Sequence, residues 1–206
     1  MISLKNSTLD FLKKQYASEG RYWHTWRHIQ EMLKLYAKFF DEIENKEAVY
    51  LAILFHDVVY NIVKQDVSNE KLSAMEMKDY LRENEHEYYK EFKYQIDLAF
   101  SFIVETEHHD LSKTNKNSYT ISELNDLKLF FDFDIAIFKT SKKEDILFFE
   151  DCIRKEYQIY SDEVYNQGRK AVMQGFLNQK TIFNSYQFKE FEKQAKENIK
   201  FIVDQF

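Results

Sequence analysis

An all-α fold is what this sequence predicts, and three observations carry that expectation. The 206 residues contain no proline and only three glycines, Gly20, Gly168 and Gly175, so hairpins and tight turns lack their usual chemistry. Lys and Glu are abundant, and apolar residues recur at helical spacing. Nineteen Phe and fourteen Tyr supply ample core volume. The length suits one domain, residues 1–206, of about eight or nine helices. No repeat, low-complexity tract or linker-like shift in composition divides it.

The elements follow in order. Ser7-Thr8-Leu9-Asp10 reads as a capped start, and Leu9, Phe11-Leu12 and Tyr16 give an amphipathic helix ending near Gly20. A second helix runs through His28-Ile29, Met32-Leu33, Leu35-Tyr36 and Phe39-Phe40. His24 and His28 are four apart and share a face if that helix includes both; if it begins only at Thr25, His28 alone points inward. A third helix, 46–59, is apolar nearly all round, which predicts a central position. It delivers the stretch Leu54-Phe55-His56-Asp57-Val58-Val59-Tyr60. Burying a charged Asp costs several kcal/mol unless something pairs with it or binds it. His56-Asp57 is therefore either a helix end that caps and pairs locally or half of a divalent-metal site.

A loop over 61–68 leads to a helix capped by Ser68 or Asn69, with Glu70 in its first turn. His86, among Glu83, Glu85 and Glu87, reads as a solvated residue near a helix end. The next helix, about 94–107, ends in His108-His109-Asp110, where two consecutive His cannot face the same way. Acidic residues then appear among apolar ones in Asp126-Leu127…Phe131-Asp132-Phe133-Asp134-Ile135 and need partners. Asp132 and Asp134 lie about 200° apart on a helical wheel, so one of them at most faces a given point. Ser141-x-x-Glu144 predicts a capping box, and the remaining helices span about 161–178 and 188–203.

Charge and cysteine usage bound the function. A net charge of -6 argues against general nucleic-acid binding. The single cysteine, Cys152, excludes an internal disulfide, and its apolar neighbours make it a buried small side chain rather than a nucleophile. The start Met1-Ile2-Ser3-Leu4-Lys5-Asn6 lacks a basic segment followed by an apolar one, and no apolar run spans a bilayer. A cytoplasmic protein with no membrane association is expected. The aromatic content leaves room for a homodimer interface.

Taken together, His28, His56-Asp57 and a later Asp in an apolar helix resemble the H…HD…D pattern of the HD superfamily of metal-dependent phosphohydrolases. The segments Arg21-x-Trp23-His24-x4-Ile29, Phe55-His56-Asp57-x-Val59-Tyr60, Asn69-Glu70-x2-Ser73-Ala74 and Asp132-x-Asp134-Ile135-Ala136-Ile137 resemble the branch of predicted HD phosphohydrolases. So do Arg154-Lys155-Glu156-Tyr157, Gly168-Arg169 and Ala195-Lys196-x-Asn198, in the expected order. Trp23 stands where that branch has Tyr, Lys196 where it has Arg, and Phe138-Lys139 where Leu-Gly often follows.

The resemblance implies an HD-domain-like fold and a metal held by His28, His56, Asp57 and Asp134, with Asp132 in a supporting role. That mixed N/O shell suits Mn, Fe, Co, Ni, Zn or, less well, Mg. It further implies hydrolysis of a small phosphate ester or nucleotide by metal-activated water. Arg21, Arg154 and Arg169 are candidates for binding phosphate bidentately. Glu70 is a candidate general base and His24 a candidate phosphate or leaving-group contact. Two other readings share the pattern. A di-iron HD-type oxygenase would need further ligands from His108 or His109. A non-catalytic nucleotide-binding module would use the same pocket without turnover.

Overall fold

The computed structural model describes residues 3–63 and 65–206. Met1 and Ile2, part of the stretch read for a leader, and Lys64, within the expected 61–68 loop, lie outside the described residues. The chain is all-α, with no strand among the described residues. The described residues form ten α-helices: α1 (Asn6–Tyr16), α2 (Trp26–Lys38), α3 (Lys46–Phe55), α4 (Asn69–Asn84), α5 (His86–Glu91), α6 (Lys93–Glu105), α7 (Ile121–Asp134), α8 (Lys143–Glu156), α9 (Asp162–Asn178) and α10 (Glu192–Val203). Four 3-10 turns lie between them, including Ala136–Lys139 and Tyr186–Phe191. No helix among the described residues is long and apolar enough to cross a membrane.

The chain divides into two compact units, Met1–Phe130 and Phe131–Phe206, and the boundary falls inside α7. In the first unit α3 is the centre. Ala48, Val49, Leu51, Ala52, Ile53, Leu54 and Phe55 are all buried, and α3 packs on α6 and α2 while α6 also packs on α4. An apolar ten-residue helix with no polar stripe must be enclosed on every side, which is why the others gather round it. Its N-terminus is held from outside the helix. Buried Asp126 of α7 accepts from the backbone N–H of Glu44 (3.1 Å) and Asn45 (2.7 Å) and from Asn45 Nδ2 (2.9 Å). Those bonds satisfy donors that a helix start leaves open. Burial nevertheless raises the Asp126 carboxyl above the ordinary carboxylate range, against the pull of its hydrogen bonds.

In the second unit α10 packs on α9 and on the Ala136–Lys139 turn. Buried Asn198 donates through Nδ2 to the carbonyls of Phe138 (2.9 Å) and Thr140 (2.7 Å), closing that turn. Asp132, fully buried, accepts from Asn184 N (2.7 Å), Ser185 N (2.8 Å) and Ser185 Oγ (2.6 Å). It is a clasp on the segment leading to α10.

Several boundaries differ from the sequence expectation. α2 begins at Trp26, after Thr25, so His24 precedes the helix. α3 stops at Phe55, one residue before His56, rather than running to 59. Ser68 caps α4 by accepting from Lys71 N. The Ser141-x-x-Glu144 capping box does not form: α8 starts after Lys142 with no side-chain cap. Thr140 takes over, its Oγ1 accepting from Lys142 N (3.2 Å) and donating to Asp145 (2.8 Å).

Burial pushes the Asp132 carboxyl up to about 6 from 3.8, outweighing its three hydrogen bonds. Proton binding therefore favours the folded chain. That contribution is complete below pH 3.8 and is lost as the pH rises through about 6. In Asp132→Asn an amide NH2 replaces one acceptor oxygen and faces an N–H donor, at a cost of about 1–3 kcal/mol. Urea unfolding at pH 4 and pH 7 checks both points. Wild type is the more stable at each pH, and its margin over Asp132→Asn is larger at the lower one; a margin that grows with pH contradicts the assignment.

Candidate metal centre

The site begins with the way α3 ends. Ile53, in the last turn, offers its carbonyl to His56 Nδ1 at 3.0 Å. A carbonyl only accepts, so Nδ1 donates its proton there; in the neutral ring this leaves Nε2 as the lone-pair donor. This is the arrangement that fixes the tautomer of metal-binding histidines. His56 is 2% exposed, and its ring meets Phe130 edge-on with centroids 6.0 Å apart. Asp57 brings Oδ2 to 3.1 Å from His56 Nε2. Two lone-pair donors at that separation repel unless a proton or a cation lies between them. Donors bonded at about 2.1 Å and at right angles to one octahedral ion are about 3.0 Å apart, so the spacing suits neighbouring ligands.

His28 enters from the first turn of α2 and is buried, its ring edge-on to His56 with centroids 5.4 Å apart. His28, His56 and Asp134 each present one ligand atom, and these three atoms all lie within 4.8 Å of one another. Asp134 is four residues beyond Phe130 on α7, hence on the same helical face one turn further along. The group can hold a metal ion. Two imidazoles and a carboxylate fit a borderline divalent cation better than a hard one such as Mg, which prefers an all-oxygen shell. Asp57 is not among the three mutually close donors, although it touches His56. Among the described residues, His108 and His109 belong to no such group. His109 occupies a left-handed backbone conformation, φ 46°, in the turn after α6.

The remaining candidates fall in several places. His24, in the bend before α2, packs at a tilt against Tyr60 (4.3 Å between centroids) and meets His28 edge-on at 6.1 Å. Trp23 also approaches His28, at 6.0 Å. Glu70 lies in the first turn of α4, between two residues that hold the loop after His56-Asp57. One is Asn69, which accepts from Asn61 N (3.0 Å) and donates to Asn61 O (2.9 Å). The other is Ser73, whose Oγ accepts from Val59 N and donates to Val59 O, each at 3.1 Å.

The three arginines have partners within the chain. Arg21 donates to the carbonyls of His24, Asp57 and Val58 and to Ser18 Oγ. Arg154 clips Asp162 and the carbonyls of Tyr157 and Tyr160. Arg169 forms a bidentate pair with Glu150 at 3.0 and 2.5 Å, with Nη1 making no hydrogen bond among the described residues. Sequence reasoning overlooked Tyr16, whose hydroxyl donates to Leu54 O (3.1 Å) and accepts from Asp57 N (3.3 Å). Its only signal was a phenol on the buried face of an amphipathic helix. Neither a family model, nor a curated protein, nor a solved structure matches the chain.

Calorimetric titration with Mn2+ checks the ligand set. His28→Ala, His56→Ala and Asp134→Asn each weaken binding by at least about 100-fold, because each removes a donor for which a neutral amide or methyl group is no substitute. Asp132→Asn, whose oxygens serve backbone amides, binds as wild type does. Loss in Asp132→Asn with retention in Asp134→Asn reverses the assignment of the two acids.

Proposed function

We propose that this chain is a divalent-metal-dependent phosphohydrolase of the HD type, acting on a small phosphate ester or nucleotide. The observation that carries the reading is the convergence of His28, His56 and Asp134, with the His56 tautomer fixed by the Ile53 carbonyl so that its lone pair is available. They are three of the four residues that the H…HD…D resemblance selects. Asp57, outside that close group but with Oδ2 3.1 Å from His56 Nε2, would add a second carboxylate to the ligand shell. An ion held there would supply a Lewis acid for a phosphoryl oxygen and a source of nucleophilic water at neutral pH.

The chain's own groups account for the rest. His24, held between Tyr60 and His28, offers an imidazole that hydrogen-bonds a phosphoryl oxygen or protonates a leaving alkoxide. Glu70 at the start of α4 is the candidate base that orients attacking water. Apolar walls around His56, Phe130 among them, exclude bulk water and strengthen each charge interaction inside. The di-iron reading draws no support from His108 or His109, which join no ligand group among the described residues. A non-catalytic module would share the same donors and differs only in turnover.

The test is a panel of phosphomonoesters and nucleotides assayed for phosphate release with Mn2+, Co2+ or Ni2+. At least one substrate turns over with the metal and not after chelation, and His56→Ala abolishes that release. A panel with no metal-dependent release, or release that survives His56→Ala, overturns the reading.

A further inference from the structure

Arg21 and Tyr16 treat one peptide unit in complementary ways. Tyr16 Oη accepts from the N–H of Asp57 (3.3 Å), and Arg21 Nη1 donates to the Asp57 carbonyl (2.7 Å). The main chain of Asp57 is thus held on both its donor and its acceptor side. Tyr16 also takes the Leu54 carbonyl (3.1 Å), one of those that the end of α3 leaves open, and Arg21 Nη2 takes the next carbonyl, Val58 (3.0 Å).

The guanidinium is itself confined. It lies 5.2 Å from the Tyr16 ring centroid and 5.3 Å from that of Tyr60, and Tyr60 packs against the His24 ring in turn. Arg21 Nη1 adds a bond to the His24 carbonyl (3.1 Å), and Nε one to Ser18 Oγ (3.0 Å). Four of its five N–H groups point at neighbours within the chain. A guanidinium so committed has no two-toothed edge left for a phosphate. One planar cation meeting three carbonyls between two aromatic rings is a task for Arg and not for Lys, whose ammonium is a single point with rotatable donors.

We propose that Arg21 and Tyr16 are positioning residues for the metal site: they set the Asp57 peptide, and through it the approach of the Asp57 carboxylate to His56 Nε2. Arg21 acts on the backbone beside the ion instead of on the substrate. The inference rests on the metal-site reading, and it assigns that site a dependence on α1 and on the segment after it.

Co2+ titration followed by visible absorption separates this role from the alternatives, since the ligand-field bands report coordination geometry. Arg21→Lys and Tyr16→Phe are each confirmed as folded by circular dichroism and titrated well below their unfolding temperature. The expected result is a 10–100-fold loss of Co2+ affinity in both, the range for groups that orient ligands, together with altered bands. Wild-type affinity and bands in the two variants overturn the proposal, whether they are accompanied by a raised KM, which marks a substrate-binding arginine, or by a lowered melting temperature alone, which marks a merely structural one. Where Arg21→Lys does not fold, Tyr16→Phe decides. A wild-type protein that takes up no Co2+ refutes the metal site itself and this inference with it; uptake by wild type with equal uptake by the variants refutes the inference alone.

Discussion

The chain must leave an apolar helix at the point where it delivers its His and Asp, and every backbone group freed there has to be satisfied by something other than the helix. α3 stops at Phe55, so residues 56–61 run on irregular backbone, buried at His56 and Val58 and reaching the surface at Asn61. A buried N–H or C=O without a partner costs about 1–3 kcal/mol. Side chains from elsewhere in the chain supply the partners: Tyr16 for Leu54 and Asp57, Arg21 for Asp57 and Val58, Ser73 for Val59, Asn69 for Asn61. The His56 imidazole is held by the same economy, through the Ile53 carbonyl. Remove this set of bonds and the His and Asp lose their defined direction.

Buried carboxylates do similar work at longer range. Asp126 closes the start of α3 with both oxygens, and Asp132 clasps the backbone of Asn184 and Ser185. Both lie on α7, and both are consumed by backbone amides. Asp134, two residues after Asp132, is turned to another face and joins the histidines. One helix thus carries three acids with separate tasks, sorted by the angle at which each leaves it. The rise in the Asp126 and Asp132 pKa values has burial as its leading cause in each case, which places both acids in dry surroundings.

Much of this was legible in the sequence, for physical reasons. The absence of proline and scarcity of glycine left helices as the economical backbone, and the apolar run of residues 48–55 marked a central element. The separation of Asp132 from Asp134 followed from helical rotation. Asn69 and Ser73 stood out as part of a resemblance, yet their task of bonding a loop two-handed needs the loop's path, which composition does not encode. The start of α2 was ambiguous because Trp23, His24 and Thr25 neither break a helix nor cap it, and Thr25 makes no capping bond. Ser141-x-x-Glu144 had the residues of a capping box, but Thr140, one position earlier, captured the Lys142 N–H first. The arginines were the least legible, since a guanidinium pairs equally well with a phosphate, a carboxylate or a row of carbonyls. No shift in composition marks the boundary at Phe130–Phe131 because it falls within a helix.

The central claim is that His28, His56 and Asp134 hold one ion. Anomalous diffraction from crystals of the wild-type protein grown with Mn2+ tests it most directly, because the signal locates the metal without reference to activity or substrate. The account predicts a single anomalous peak within about 2.0–2.2 Å of a nitrogen of His28, a nitrogen of His56 and a carboxylate oxygen of Asp134. A peak bound by other residues, or the absence of any peak at these three in crystals saturated with the metal, contradicts it.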